Sequence, residues 1–435
     1  MTIVAFIPAK GTSERVPRKN LSLLDGEPLV RRKLIQALDC AALGEVCLDT
    51  ESEDIAACAD DLAVSRLVRP ERLADNGADG HELFAWQCSQ RPDADMWVQL
   101  PCTAPFVTAD TIARAIRALQ DHPEADSLVG VRRAAQYCWN DTTPEYGTGR
   151  IPNSVDLPQR VIEAMSLYIV RRPDGGAPVT RRFGERPLLF DLDPRECIDI
   201  DTREDLELAE RLAAGERAEE ALRFRAMAGQ LSSGVLADIA KDMGVEAVLP
   251  ASIVPTSPGR FLGRAKTLRL APVDPRDPDS WRGIYGALQS YRFVRQGDVI
   301  LVENPVRERA YFGDLNANLA VRSGAVGAVI DGVTRDTGDV RALGFPVYAH
   351  GSHCNDIRLE GTLRAMNRPI TIGGVAIANG DVVFADADGV VVIPRALWPE
   401  AEDAAWRTLE NEARIRLSAA RGTDVDEILA RHGTF

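Results

Sequence analysis

The stretch "TIVAFIPAKGTSERVPRKN" (residues 2–20) joins an unbroken apolar run to a loop with one glycine and four basic side chains. An apolar run such as Ile3 to Ile7 is typical of a parallel strand, because helices cover both faces of a parallel sheet. An amphipathic helical pattern follows in "EPLVRRKLIQALDCAAL" (27–43). This order predicts an α/β domain whose ligand lies at the carboxyl ends of the strands, where the basic loop begins.

The same alternation of apolar runs and helical patterns continues through the first half of the chain. It predicts a doubly covered, mostly parallel sheet. The further runs are "EVCLDT" (45–50), "DMWVQLPC" (95–102), "DSLVGV" (126–131) and "MSLYIV" (165–170).

A charge-rich helical stretch at 202–230, interrupted by Gly215, marks a change in composition. Beyond it, Val/Ile-rich strands alternate with glycine-centred turns and short helices, which predicts a compact mixed β/α domain. The tail, 399–422, reads as a helix that packs or oligomerises. We therefore expect a front domain at 1–212, a helical linker at 213–230 and a rear domain at 231–435.

Charge and composition narrow the class of protein. The 435-residue chain has a net charge of −14, so a phosphate-binding site must be local and broad nucleic-acid binding is not expected. No run of about 18 apolar residues is present, so no membrane span is expected. Eight cysteines without a CxxC pair indicate reduced thiols, and a cytoplasmic location is expected.

The basic loop suits a polyanion. Lys10, Arg15 and Lys19 supply positive charge, and Gly11 lets backbone N–H groups approach phosphate oxygens. Ser13 adds a short hydrogen-bond donor. The loop is neither a Walker A nor a GxGxxG sequence, so its composition alone does not identify the ligand.

A pair of aspartates lies far downstream, in "IDID" (198–201). Asp199 and Asp201 are two apart in a strand-like segment, so both carboxylates face the same side. Two such carboxylates could hold Mg²⁺, which prefers carboxylate and phosphate oxygens. The alternative is an acidic strand end that caps the helix beginning at Thr202.

An ordered series of motifs gives these residues a family context. Residues 7–20, "DTESEDIAACAD" (49–60), "VQLPCTAPFVTADTI" (98–112) and "ECIDIDTREDLELAE" (196–210) together resemble the acylneuraminate cytidylyltransferases. The resemblance covers about residues 1–212. It implies a Rossmann-type fold of the nucleotide-diphospho-sugar transferases, and transfer of CMP from CTP to an acidic keto-sugar with release of pyrophosphate.

The resemblance also implies roles for individual residues. The anomeric hydroxyl of the acceptor would attack the α-phosphorus directly, while metal and cations stabilise the spreading charge. The implied residues are Lys10, Arg15 and Lys19 on the phosphates, Ala9, Asn20 and Arg69 on the cytosine or ribose, Gln99 on the acceptor, and Asp199 and Asp201 on Mg²⁺.

Several positions depart from the family pattern. Lys10 stands where the family usually has arginine, Glu14 places an anion beside the phosphates, and Val107 replaces an arginine of the family motif. "NSVDLP" (153–158) lacks another arginine. An acceptor other than a sialic acid, including a non-sugar acid such as a phosphonate, therefore stays open.

A second set of residues lies in "GDLNANLAVRSGAVGAVIDGVTRD" (313–336), where twenty residues separate Asp314 from Arg335-Asp336. With 341–351 and 380–394, it resembles the regulator of ribonuclease activity A (RraA) family. That family includes metal-dependent pyruvate aldolases such as the 4-hydroxy-4-methyl-2-oxoglutarate aldolases. The resemblance covers about 231–420 and implies a swivelling β/β/α domain.

The residue types fit chemistry on a pyruvyl group. Asp336 would anchor Mg²⁺ or Mn²⁺ largely through waters, and Arg335 suits a developing enolate oxygen. Asp314 would orient or deprotonate a water. The alternative is a structural Arg335–Asp336 turn pair, with Asp314 capping the next helix. We predict that His350 and His353 are surface loop residues.

These observations favour a bifunctional enzyme that combines cytidylyl transfer with pyruvyl retro-aldol or decarboxylase chemistry. The alternative is a cytidylyltransferase whose rear half is a binding or oligomerisation module. The expected partners are small molecules, namely CTP, an acidic keto-sugar and an α-keto acid. Both families assemble, so a homo-oligomer is expected.

Overall fold

A computed structural model describes residues 1–75, 77–277 and 279–433, which form two compact units, Met1–Leu212 and Ala213–Phe435. Residues 213–228 of the expected linker belong to one long helix, Arg203–Ala228, and residues 229–230 form a turn after it. Gly215 does not interrupt this helix, contrary to the prediction from sequence, because a single glycine weakens a helix by only about 1 kcal/mol.

The front unit alternates strands and helices, as predicted. Its strands are β1 (Ile3–Pro8), β2 (Leu23–Leu24), β3 (Glu27–Pro28), β4 (Glu45–Asp49), β5 (Ser65–Leu67), β6 (Met96–Gln99), β7 (Ser127–Ala134), β8 (Trp139–Asn140), β9 (Thr143–Pro144), β10 (Arg160–Arg171) and β11 (Pro187–Asp191). Its helices are α1 (Leu29–Leu38), α2 (Glu53–Ala57), α3 (Glu71–Ala74), α4 (Gly80–Ser89), α5 (Ala109–Asp121) and the start of α6 (Arg203–Ala228), with 3₁₀ turns at Lys19–Leu21, Ser154–Asp156 and Asp174–Gly176.

Seven strands form the front sheet, in the order β11-β7-β10-β6-β1-β4-β5. Strands β6, β1, β4 and β5 are parallel, whereas β10 runs antiparallel to both neighbours. The predicted mostly parallel α/β class is therefore confirmed, and the five apolar runs lie in β1, β4, β6, β7 and β10. Sequence patterns missed β5, which has three residues, and β11, whose residues are half-exposed or exposed.

The register of the central strands positions the front site. Pro8 pairs with Asp49, and Phe6 pairs with Gln99, so β1, β4 and β6 end at one edge of the sheet. Strand β1 is buried along Ile3–Ile7 because helices cover the sheet. The basic loop after β1 and the segments after β4 and β6 therefore emerge together at this edge.

The rear unit contains the end of α6 and a second sheet. Its strands are β12 (Val254–Ser257), β13 (Phe261–Pro272), β14 (Asp298–Glu303), β15 (Gly327–Asp331), β16 (Val347–Ala349), β17 (Gly361–Met366), β18 (Ile370–Ile372), β19 (Val375–Ile377), β20 (Val382–Asp386) and β21 (Gly389–Ile393). Its helices are α7 (Ser233–Asp242), α8 (Asp314–Ser323), α9 (Thr337–Ala342), α10 (Trp398–Ala420) and α11 (Val425–His432), with a 3₁₀ segment at Ser280–Arg292.

The rear sheet has the order β12-β16-β15-β14-β13-β20-β21, with β17 paired to β13. Strands β13 to β16 are parallel, and β12, β17, β20 and β21 pair antiparallel. This mixed β/α architecture agrees with the RraA-like fold class expected from sequence. The tail helix α10 packs into the core beside α7 through Trp398, Ala401 and Ala405. Among the described residues, no helix combines the length and apolar character that crossing a bilayer requires.

Candidate functional site

Two hydrogen bonds hold the basic loop of the front unit, one to the end of β4 and one within the loop. The Ala9 N–H donates to the Asp49 carbonyl at 2.9 Å, and Asn20 Nδ2 donates to the Lys10 carbonyl at 2.9 Å. Ala9 and Asn20 are buried. These two residues, assigned to the cytosine or ribose by the resemblance, therefore hold the loop on the end of β1.

Gly11 lies against the segment that follows β4. Its N–H donates to Glu51 Oε1 at 2.6 Å, and a Cβ on Gly11 would lie 2.8 Å from the Cβ of Ser52. The loop therefore needs glycine here. The N–H expected for a phosphate oxygen is bonded to Glu51, an acidic neighbour that the sequence did not single out. Ser13 is half-buried in the same loop.

The two downstream aspartates reach the basic loop. Arg15 Nη2 lies 2.9 Å and Lys19 Nζ 3.1 Å from Asp201 Oδ1. Residues 197–201 do not form a strand, contrary to the sequence prediction. The Ile200 N–H donates to the Thr103 carbonyl at 2.8 Å and the Ile200 side chain is buried, which fixes the segment that carries Asp199 and Asp201.

Neither aspartate caps helix α6. Thr202 Oγ1 accepts the Asp205 N–H at 3.2 Å, and Asp205 Oδ2 accepts the N–H groups of Asp201 and Thr202 at 3.1 and 2.8 Å. This reciprocal arrangement is a capping box. The alternative reading of the aspartates as helix caps therefore does not describe their side chains.

Asp199 lies in a partly buried position beside Asp201. Burial raises its pKa, the neighbouring Asp201 raises it further, and Thr103, Lys19 and Arg15 oppose the shift. Its Oδ1 is buried and has no hydrogen-bond partner among the described residues. Buried carboxylate oxygens normally have a partner, and a divalent cation would complete this one. The donor set therefore fits Mg²⁺.

A buried chain of polar side chains crosses the ends of β4 and β6. Arg69 Nε and Nη2 each lie 2.9 Å from an oxygen of Asp49. Gln87 Nε2 donates to Asp49 at 2.6 Å, and Gln99 Nε2 donates to Gln87 Oε1 at 2.6 Å. Arg69, assigned to the nucleoside by the resemblance, is thus held by Asp49.

Asp49 determines which way the hydrogen bonds between these polar side chains run. An ionised carboxylate only accepts hydrogen bonds, so Gln87 turns its NH₂ towards Asp49 and its carbonyl towards Gln99. Burial raises the pKa of Asp49, and the two bonds from Arg69 oppose that shift. Gln99 Oε1 is left buried, with no partner among the described residues. Gln99 can therefore accept a hydrogen bond from a ligand.

The rear candidate site forms where two loops interlock beyond the carboxyl ends of β15 and β16. Thr334 N–H donates to the Gly351 carbonyl at 3.0 Å, and the His353 N–H donates back to Thr334 at 2.8 Å. Next to this junction, Arg335 Nη1 lies 2.8 Å from Asp356 Oδ2. The sequence gives no signal for Asp356, because it lies outside the spacing that links Asp314 to Arg335 and Asp336.

The structure brings Asp314 and the Arg335–Asp336 pair together across twenty residues. The Asp314 N–H points to Asp336 Oδ2 at 3.5 Å, and Arg335 Nε lies 3.4 Å from the same oxygen. Gly313 makes this approach possible, because a Cβ there would lie 2.5 Å from Asp336 Oδ2. Neither Asp314 nor Asp336 caps a helix through its side chain.

The two loop histidines differ in exposure. His353 is exposed, but the His350 side chain is only 20% exposed, and its Nε2 lies 2.9 Å from Asp331 Oδ1. Arg307 holds the other oxygen of Asp331 at 3.0 Å. His350 is therefore a loop residue, as predicted, but it is only partly exposed and is bonded to Asp331. The sequence does contain a signal for this contact, because Asp331 is an acidic residue at the end of an apolar strand and needs a polar partner.

The carboxylates at both sites are too few to form a metal cage alone. Within 1–75, 77–277 and 279–433, no cluster of three or more His, Cys, Asp or Glu ligands is formed. Mg²⁺ tolerates such sites, because it often binds one or two carboxylates and takes its other ligands from water and substrate. Asp199 with Asp201, and Asp336 alone, are compatible with that mode of binding.

Comparison with known proteins separates the two halves in the same way. Residues 4–174 match the family model described as cytidylyltransferase, and residues 233–392 match the model described as Aldolase/RraA. A putative 4-hydroxy-4-methyl-2-oxoglutarate aldolase of Halalkalibacterium halodurans is 31% identical over 159 residues. That match covers 36% of this chain and 71% of the relative.

Two further relatives form CMP-sugars according to their names. N-acylneuraminate cytidylyltransferase of Escherichia coli is 25% identical over 228 residues, covering 48% of this chain and 51% of the relative. CMP-N,N'-diacetyllegionaminic acid synthase of Legionella pneumophila is 34% identical over 122 residues, covering 27% and 52%. The chain thus spans about half the length of these two relatives, and 31% of a longer one from Legionella pneumophila.

Proposed function

The chain belongs to the Aldolase/RraA family through residues 233–392 and carries a cytidylyltransferase domain in its front half, and from this premise we propose a bifunctional enzyme. The front site transfers CMP from CTP to an acidic keto-sugar and releases pyrophosphate. The rear site cleaves or decarboxylates a pyruvyl α-keto acid.

One observation carries the front proposal. Asp199 Oδ1 is buried without a partner among the described residues, next to Asp201, whose carboxylate meets the cations of the basic loop. In this acidic pair Asp201 binds the cations of the loop, and Asp199 still has an oxygen that can coordinate a metal ion. A triphosphate brings about four negative charges and its own metal, which matches both features.

The chain's own groups account for the remaining steps. Arg15 and Lys19 exchange Asp201 for phosphate oxygens and stabilise the charge that develops as pyrophosphate leaves. Lys10 adds positive charge from the same loop. Gln99 Oε1 accepts a hydrogen bond from the acceptor and orients its anomeric hydroxyl towards the α-phosphorus. Mg²⁺ held by Asp199 and Asp201 would neutralise phosphate charge when bound.

A screen of nucleoside triphosphates against acids tests the front proposal. Purified full-length protein is incubated with CTP, UTP, ATP or GTP, together with keto-sugar acids, neutral sugars or phosphonates, and pyrophosphate is measured. We expect turnover with CTP and an acidic keto-sugar. Turnover only with a phosphonate would assign the non-sugar acceptor instead, and no pyrophosphate with any pair would contradict cytidylyl transfer.

The rear proposal depends on the contact between Asp314, Arg335 and Asp336. Arg335 presents a planar fork to an enolate oxygen, and Asp356 orients that fork. Asp314 lies at the first turn of α8, where it can exchange a proton with a water. A divalent metal on Asp336 would stabilise the enolate when bound. Retro-aldol cleavage and oxaloacetate decarboxylation share that enolate.

The two activities have a chemical relation. The acceptors of acylneuraminate-type cytidylyltransferases are formally pyruvate joined to an aldehyde sugar, so the rear site would make, trim or degrade acids related to the front acceptor. Incubating the full chain with keto-sugar acids, without CTP, tests the relation by pyruvate release. If no keto-sugar acid releases pyruvate while oxaloacetate is still decarboxylated, the two sites do not share related substrates. The rear activity itself would then still stand.

A further inference from the structure

Arg182 lies in the segment between β10 and β11, at the front sheet. Its guanidinium stands over the ring of Tyr168, with Cζ 5.1 Å from the ring centroid. On its other side it touches the first residue of α4, because a Cβ on Gly80 would lie 2.7 Å from Cζ and 2.9 Å from both terminal nitrogens. The arginine is thus fixed between an aromatic ring and a helix backbone.

This guanidinium has unused hydrogen-bonding capacity. Its Nε is buried and has no hydrogen-bond partner among the described residues. The Tyr168 hydroxyl interacts with this guanidinium and donates to Glu163. No ion pair joins Glu163 to Arg182 within the described part of the chain. A buried guanidinium nitrogen normally donates to an acceptor, so an acceptor from outside the chain would complete Arg182 Nε.

Arg182 and Gln99 belong to the same face of the sheet. Tyr168 on β10 is the cross-strand partner of Gln99 on β6, and residues paired in this way point to the same side. Helix α4 contacts both, through Gly80 at Arg182 and through Gln87 at Gln99. The unpartnered donor of Arg182 and the unpartnered acceptor of Gln99 therefore lie under one helix.

Gln99 Oε1 and Arg182 Nε together indicate which groups a ligand must carry. Gln99 Oε1 needs a hydroxyl or N–H, and Arg182 Nε needs an acceptor, best an anionic one. A cyclic 2-keto acid carries both on one carbon, a carboxylate and the anomeric hydroxyl. We propose that Arg182 binds the carboxylate of the acceptor acid while Gln99 takes the adjacent hydroxyl, an assignment that rests on the cytidylyl transfer proposed for this site.

This assignment explains how the site can select an acid although Val107 and the segment 153–158 lack the arginines of the related pattern. The cation is supplied from a different position in the chain. It also gives Gly80 a function, because any side chain at that position would displace the guanidinium from the Tyr168 ring.

The test measures acceptor binding rather than turnover alone. Calorimetry of the full-length protein uses eight- and nine-carbon 2-keto-3-deoxy sugar acids and their neutral carboxamides, with Mg²⁺ and a non-hydrolysable CTP analogue. For Arg182→Met, which keeps an apolar side chain over Tyr168, we expect acid affinity to fall on the order of 30- to 100-fold. Carboxamide binding and CTP-analogue binding should not change.

Gly80→Ala provides a second variant whose effect cannot be attributed to misfolding. Alanine is the better helix former, so the unfolding midpoint should stay or rise, while acid affinity should fall about tenfold. Gly215→Ala, in open space on α6, is the matched control and should leave acid affinity unchanged. Arg182→Lys should recover part of the affinity lost in Arg182→Met, since lysine keeps the charge but not the fork.

Unchanged acid affinity in Arg182→Met, or equal losses for acid and carboxamide, would overturn the assignment. A wild-type protein that binds the CTP analogue but none of the acids would also overturn it and leave the nucleotide proposal standing. Arg182-dependent acid binding without binding of the CTP analogue would support the carboxylate site and contradict cytidylyl transfer.

Discussion

The front and rear sites both lie at carboxyl ends of parallel strands, but they differ in how far the fold satisfies them. The front site contains four buried side-chain atoms without a partner among the described residues, on Glu51, Asp199, Gln99 and Arg182. At the rear site Asp356, Arg335 and Asp336 bond to one another and are each about one-third exposed. The front site therefore has polar atoms available to bond to a ligand. A ligand at the rear site must instead displace the existing ion pairs of Arg335.

This difference separates stability from function in the two halves. A buried polar atom without a partner costs free energy of folding, on the order of 1–3 kcal/mol, which a ligand recovers on binding. Substitutions at the front site should therefore impair function while leaving the fold intact or more stable. Substitutions at the rear site should change activity with little effect on stability, because water can replace the lost pairs.

Asp199→Asn should have the largest effect. It removes the anion that faces the proposed metal, so pyrophosphate release should fall about 10³-fold. The unfolding midpoint should not fall, because the substitution removes a carboxylate whose ionisation burial opposes. Steady-state pyrophosphate release and thermal unfolding measure both. Asp193→Asn, an exposed partner of Arg195, is the control and should retain activity; equal behaviour of the two variants would refute the role of Asp199.

Arg335→Ala should cause the second-largest loss of activity. Loss of the guanidinium should reduce pyruvate formation from oxaloacetate about 100-fold, with pyrophosphate release unchanged. Arg309→Ala, which breaks the surface pair with Glu360, is the matched control. If Arg335→Ala decarboxylates like the wild type, the activity is that of the metal alone and the rear half is a binding or oligomerisation module.

Lys33 on α1 should make the stability of the front unit depend on pH. It is fully buried, and burial lowers its pKa from 10.5 to about 7. Between those values the unfolded chain binds the proton and the folded chain does not, so stability rises with pH. From pH 7 to 9 the gain should be about 2 kcal/mol, at 1.36 kcal/mol per pKa unit.

Hydrogen exchange of β1 amides across pH, corrected for intrinsic rates, measures this gain in the front unit. Lys33→Met should abolish the dependence and stabilise the unit at pH 7. A dependence that persists in Lys33→Met would show that another group is responsible.

Gly313→Ala should give the smallest change. The added Cβ would press on Asp336 Oδ2 and Arg335 Cγ, at 2.5 and 3.1 Å, so pyruvate formation should fall about tenfold. Gly338→Ala, where the Cβ meets open space in α9, is the control and should stay fully active. Equal activity of both variants would mean that Asp336 need not keep its position.

Sequence alone predicted the class of both units, because buried strands and amphipathic helices leave clear periodic patterns. It also identified Asp314, Arg335 and Asp336, which a fixed spacing links and which the fold brings into contact. It could not find Arg182, Asp356 or the His350–Asp331 pair. Those contacts join segments that are distant in the chain, and their significance depends on which atoms remain without a partner after packing.

We propose that one chain holds two separate catalytic sites. The most direct test is to assay wild type, Asp199→Asn and Asp336→Asn for both pyrophosphate and pyruvate under the same conditions. We predict that Asp199→Asn loses only pyrophosphate release and Asp336→Asn loses only pyruvate formation. Loss of both products in either variant, or of neither in both, would contradict the claim.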